Sequence, residues 1–149
     1  MKYAKYGTLV LMLAFLVGFS TPPAEAQQTY KGTFDLQTEA YWGPTLLPPG
    51  HYTVMMHPEP GKAVRVLSLT GEGVRAYVLA GPGTPEHVAE KGTLRLYDYN
   101  GVYVVRQLNT GLLGQSYNFV TSKKARARVE QASTPPRAVT VPVSTIATE

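Results

Sequence analysis

The fold is read from Thr93-Leu94-Arg95-Leu96-Tyr97-Asp98-Tyr99-Asn100-Gly101-Val102-Tyr103-Val104-Val105-Arg106-Gln107-Leu108. Asn100-Gly101 tolerates the positive φ angles of a type I′ turn, and alternating sequence flanks it on both sides, which marks a β-hairpin. A two-residue turn fixes the register. Tyr99 is expected opposite Val102, Asp98 opposite Tyr103, Tyr97 opposite Val104, Leu96 opposite Val105 and Arg95 opposite Arg106. One face then carries Leu94, Leu96, Tyr103 and Val105, while the other presents Arg95, Tyr97, Tyr99 and Arg106.

Outward from this hairpin, short alternating runs separated by glycine-bearing breaks predict strands over 33–36, 51–57, 63–69, 74–80, 93–99, 102–108 and 117–121, seven in all. No stretch sustains the 3, 4, 7 spacing of a helix. A second hairpin is expected at Thr70-Gly71-Glu72-Gly73 with Leu69 paired to Val74, so that Leu67, Leu69, Val74, Ala76 and Val78 face the core. Gly81-Pro82-Gly83-Thr84-Pro85 ends that ladder and begins a loop, with one short helical turn expected over 85–90. The reading is a single all-β domain, an antiparallel sandwich or partly closed barrel.

Both ends differ from this body. Lys2 and Lys5 precede a mostly apolar run over 8–19, and Ala24-Glu25-Ala26 supplies small residues where a signal peptidase reads. Residues 1–26 are therefore expected to be a cleavable secretory leader, since the run is shorter than the roughly 20 residues that span a bilayer. The expected location is outside the cytoplasm, periplasmic or extracellular. The chain has no cysteine, so no disulfide can compensate for a small core and no thiolate is available for chemistry. Residues 27–122 are taken as the β domain and 123–149 as a tail, basic at first and then rich in Ser, Thr and Pro. That tail has almost no large apolar side chain and is expected to be mobile, although Val139, Val141 and Val143 alternate well enough for an edge strand.

Leu47-Pro48-Pro49-Gly50-His51-Tyr52-Thr53-Val54 reads physically as the opening of a strand. The prolines hold the backbone extended, Gly50 permits a sharp turn, and Tyr52, Val54 and Met56 then alternate onto one buried face. With Phe34 to Leu36 before it, and Arg106-Gln107-Leu108 and Gly114-Gln115-Ser116-Tyr117-Asn118-Phe119 after it, the motif resembles a group of short exported bacterial β-domain proteins of uncharacterised function. The resemblance spans roughly residues 33–121 and implies a fold without bringing any catalytic residue. A weaker likeness is to the prealbumin-like repeats of the Cna-B and carboxypeptidase-regulatory type, which are binding or spacer modules whose strands also open with L-P-x-G-x-Y.

Without its first 26 residues the chain has twelve Lys and Arg against nine Asp and Glu, a balance too mild for a nucleic-acid surface. His51 and His57 share a strand face about 20 Å apart, so they cannot share an ion, and no metal or cofactor is expected. Asp98 reads as a turn carboxylate, Asp35, Glu39 and Asp98 form no facing pair, and no Gly-x-Ser-x-Gly elbow occurs.

Binding is the remaining reading. Arg95, Tyr97, Tyr99 and Arg106 combine ring faces with forked donors that suit sugars or anionic glycans. Trp42, in Tyr41-Trp42-Gly43-Pro44, is either an exposed contact for the same ligand or a cap on the barrel end. Lys123, Lys124, Arg126 and Arg128 either grip an anionic surface or stand solvated. The expected function is an exported non-catalytic binding or structural module whose partner is a glycan, an anionic envelope polymer or another envelope protein. A small secreted hydrolase and an assembly subunit pairing through an edge strand or the tail are the rivals.

Overall fold

The computed structural model describes residues 29–57, 64–131 and 135–146. The leader read over 1–26 lies outside the described residues, as do the last three residues of the tail. No helix among the described residues is long and apolar enough to cross a membrane.

The chain is all-β, as its alternation predicts, but its described residues form eleven strands rather than seven. They are β1 (Tyr30–Leu36), β2 (Ala40–Trp42), β3 (Thr45–Leu47), β4 (Gly50–Met56), β5 (Arg65–Gly71), β6 (Val74–Ala80), β7 (Thr84–Pro85), β8 (Gly92–Tyr99), β9 (Val102–Asn109), β10 (Gln115–Asn118) and β11 (Arg137–Thr145), with one helix, α1 (Lys123–Val129). All seven expected strands are present within a few residues. Three of the other four, β2, β3 and β7, are two- or three-residue strands with too few positions to show a period, and the fourth, β11, comes from the tail stretch whose alternating valines allowed an edge strand. The helical turn expected over 85–90 is absent, and Thr84 and Pro85 instead pair with Ser116 and Gln115.

The sheet runs β3-β2-β9-β8-β11-β1-β4-β5-β6, and β10 lies against β9 and β7. Strand β9 has β8 on one edge, while Tyr103 and Val104 meet β2 in parallel and Gln107, Leu108 and Asn109 meet β10. Ala80 at the end of β6 bridges to Phe119, and Gly81 N donates to Asn118 O at 3.1 Å. These two contacts bring the far edge of the sheet round to β10, so that the sheet curls into a nearly closed barrel.

Both hairpins form. Asn100 and Gly101 have φ of 57° and 89°, and the Asp98 carboxylate caps the turn by accepting from Gly101 N at 2.7 Å. In the second hairpin Glu72 and Gly73 alone make the turn and Gly71 pairs with Val74, so Leu69 meets Ala76 rather than Val74. A slip of two residues preserves side-chain faces. Leu67, Leu69, Ala76 and Val78 are accordingly buried as expected, and Val74 packs against them. The Pro-Pro-Gly opening also holds: Tyr52, Val54 and Met56 are buried, and Tyr52 Oη donates to Pro48 O at 2.8 Å.

The tail corrects the expectation most. Strand β11 pairs with β8 through seven residues and with β1 through two, and so lies inside the sheet rather than hanging from it. Val143 is fully buried and Val139 and Val141 half-buried, while Arg137, Thr140, Pro142 and Ser144 face outward. Small side chains suffice here because the ladder bonds to β8 carry the strand. A count of large apolar residues misses that term.

Tyr30, the first residue of β1, buries its hydroxyl beside the buried hydroxyl of Thr145. Burial pushes this phenol from 10.0 up to about 12, the Thr145 side chain offsetting part of the effect. A phenol with a raised folded pKa holds its proton more tightly in the folded state, so its contribution is present below about pH 10 and is lost as pH rises through about 12. The loss amounts to roughly 2–3 kcal/mol. Tyr52 and Tyr117 shift the same way, again chiefly through burial. Denaturation midpoints followed through this alkaline range should therefore fall less steeply, though still fall, in Tyr30→Phe.

Candidate binding site on the outer face of the β8–β9 hairpin

The hairpin register holds from Tyr99–Val102 to Leu96–Val105 and then breaks. Arg95 pairs with Gln107, not with Arg106, because a β-bulge lies between Arg95 and Leu96 and leaves Arg106 as the extra residue on β9. Val105 and Leu108 stay in the core on either side of the bulge. Arg106 and Gln107, though consecutive, therefore both turn outward.

That side step assembles a cleft. Tyr97, Tyr99, Arg106, Gln107, Asn118 and Phe119 line a half-open depression of about 320 Å³. The Tyr97 and Tyr99 rings lie 6.5 Å apart at 36°. Arg106 donates to the Thr121 hydroxyl, which fixes the guanidinium while using one of its five N–H groups. Gln107 Nε2 donates to Ser116 Oγ at 2.7 Å, and Ser116 is fully buried. The amide is thus held from below. The lining offers phenol rings, a guanidinium and two carboxamides, groups that recognise hydroxyls and anions.

The cleft rests on a second small core. Tyr41, Val104 and Ala125 are buried together, with Tyr99, Val102 and Val129 packed against them. Helix α1 supplies two of these, and its N-cap is Ser122, whose Oγ accepts from Ala125 N at 3.2 Å. The basic run is therefore helical, a correction to the mobile tail expected from residue 123 onward. Ala125 faces in, while Lys123, Lys124, Arg126 and Arg128 are exposed. None of these four lines the cleft, and Arg128 instead shares a separate depression of about 190 Å³ with Tyr99 and Asn100.

Of the five residues proposed as ligand contacts, Tyr97, Tyr99 and Arg106 meet in the cleft. Arg95 is exposed on β8 but does not line it. Trp42 is 0 % exposed, with ring centroids 5.0 Å from Phe119 and 5.6 Å from Phe34, and so belongs to the core rather than to any ligand surface. Gln107 and Asn118 were missed. The signal for Gln107 is present in Val104-Val105-Arg106-Gln107, two apolar residues followed by two polar ones, which strict alternation cannot seat without a bulge. Among the described residues no three His, Asp or Glu side chains converge as a metal site. Comparison with known proteins finds no matching family model, no matching curated protein and no matching solved structure.

Proposed function

We propose that this protein is an exported, non-catalytic binding module that holds an acidic glycan, or a similar anionic envelope polymer, in the Tyr97–Arg106 cleft. The observation that carries the reading is the bulge, which turns Arg106 and Gln107 out together beside two tyrosine rings. Rings stack on the apolar faces of sugars, the guanidinium fork meets a carboxylate, and the carboxamides meet hydroxyls. The basic leader and small-residue cleavage site support export. A small secreted hydrolase would need two facing titratable groups in the cleft, and the lining residues instead suit recognition.

A charge-assisted hydrogen bond contributes about 1.5–3 kcal/mol, and each 1.4 kcal/mol is tenfold in affinity. Arg106→Ala is therefore expected to weaken retention on an immobilised acidic polysaccharide by at least roughly tenfold, and Tyr97→Ala by a smaller factor. Arg95→Ala, outside the cleft, should leave retention nearly unchanged. Equal retention of correctly folded Arg106→Ala and the unaltered protein would exclude this site.

A further inference from the structure

The ladder between β1 and β11 stops after two pairs, and the cause is chemical. Ile146 N donates to Lys31 O at 2.9 Å and Thr33 pairs with Ser144, so along this seam the odd residues of β1 and the even residues of β11 turn their backbone groups toward each other. The next hydrogen-bonded pair would be Asp35 with Pro142. Proline has no N–H to give. On its other edge β11 is undisturbed, because Pro142 faces Thr93 at a position where its nitrogen points away from β8.

Beyond Pro142 the two strands have no further pairing. The backbone groups of Ala138 and Thr140 that face the seam have no protein partner among the described residues. Between the strands lies a groove of about 380 Å³ whose lining includes Leu36, Leu96, Tyr103 and Val141, with Asp35 and Thr140 on opposite walls. The place thus combines open ladder positions with an apolar floor.

We propose that this seam receives an extended segment of another polypeptide as an added strand, with its alternate side chains, apolar and β-branched, descending onto Leu96 and Val141. A strand is the occupant that answers both features, since its backbone completes the ladder that Pro142 interrupts and every second side chain points to one face. A small apolar molecule would fill the floor and leave the facing N–H and C=O groups unpaired. This surface is separate from the Tyr97–Arg106 cleft and does not depend on what that cleft binds.

The test titrates the ¹⁵N-labelled protein with the soluble blocked heptapeptide Lys-Val-Thr-Val-Thr-Val-Lys, and with the same peptide N-methylated at its three valines. Saturable shifts centred on the Ala138 and Thr140 amides are expected, with at least a tenfold weaker response to the methylated peptide. Pro142→Thr, which restores the missing donor and lets β1 and β11 pair further, should lose the response while keeping a cooperative melt. If that variant does not fold, hydrogen exchange in the unaltered protein decides: slowing of the Ala138 and Thr140 amides by peptide supports the proposal, and unchanged exchange overturns it. It is likewise overturned by no shift at millimolar peptide, by equal response to both peptides, or by shifts confined to another strand edge. Protection of the same amides in a peptide-free dimer would also overturn it, because a second copy would then be the occupant.

Discussion

Truncation after Pro136 is expected to leave a chain with no cooperative thermal transition. The cut removes β11, which contributes seven registered pairs to β8 and the fully buried Val143. Each ladder hydrogen bond contributes about 0.5–1.5 kcal/mol net, and a buried valine about 1.5–3 kcal/mol. Their sum is comparable with the whole stability of a small domain, about 5–15 kcal/mol. The truncated chain also loses the strand that separates β8 from β1, so two edges become open at once. Far-ultraviolet circular dichroism through a thermal ramp checks this directly. A sharp melt in the truncated chain, within a few degrees of the full one, would mean that β11 is an accessory and not a structural strand.

The second large effect is expected at Trp42. Its ring meets Phe119 edge-on at 78° and Phe34 at 52°, and Phe34 in turn stacks on Tyr52 with centroids 5.7 Å apart. Trp42→Ala removes the largest fully buried side chain from the middle of this cluster. A cost of about 3–5 kcal/mol follows from the lost transfer energy and the cavity left behind, lowering the melting temperature on the order of 15 °C. Trp42→Phe is different. The indole Nε1 is buried with no hydrogen-bond partner, and deleting an unsatisfied donor recovers about 1–3 kcal/mol, which offsets the smaller ring. The phenylalanine variant should therefore lie within about 1 kcal/mol of the parent by chemical denaturation. A phenylalanine variant as damaged as the alanine one would show that the indole is bonded after all.

What the sequence discloses here follows from the reach of local patterns. Asn100-Gly101 dictates its own turn, so the register from Tyr99–Val102 to Leu96–Val105 is legible from residue types alone. The faces of β5 and β6 are legible too, because the actual two-residue slip leaves inward and outward positions in place. The closing of the barrel is not. The Ala80–Phe119 bridge and the insertion of β11 join residues far apart in the chain, and no local period encodes which edges will meet. The site divides in the same way. Tyr97, Tyr99 and Arg106 project as alternation predicts, whereas Gln107 reaches the cleft only because strict alternation fails beside Arg106, and Asn118 arrives on a different strand. The basic run was visible as charge but not as a helix, since its seven residues bury only Ala125 and half-bury Val129.

The position of β11, last of the described strands in chain order yet in the middle of the sheet, also sets an order of events. Synthesis delivers β8 and β1 before their common neighbour exists, so every nascent or prematurely stopped product carries two unfinished margins. Such a polypeptide can complete its sheet only once residues 137–145 are available, which makes the interval before then the period of greatest exposure to self-association and proteolysis. A holdase acting in that interval would raise the yield of folded protein without altering its final stability.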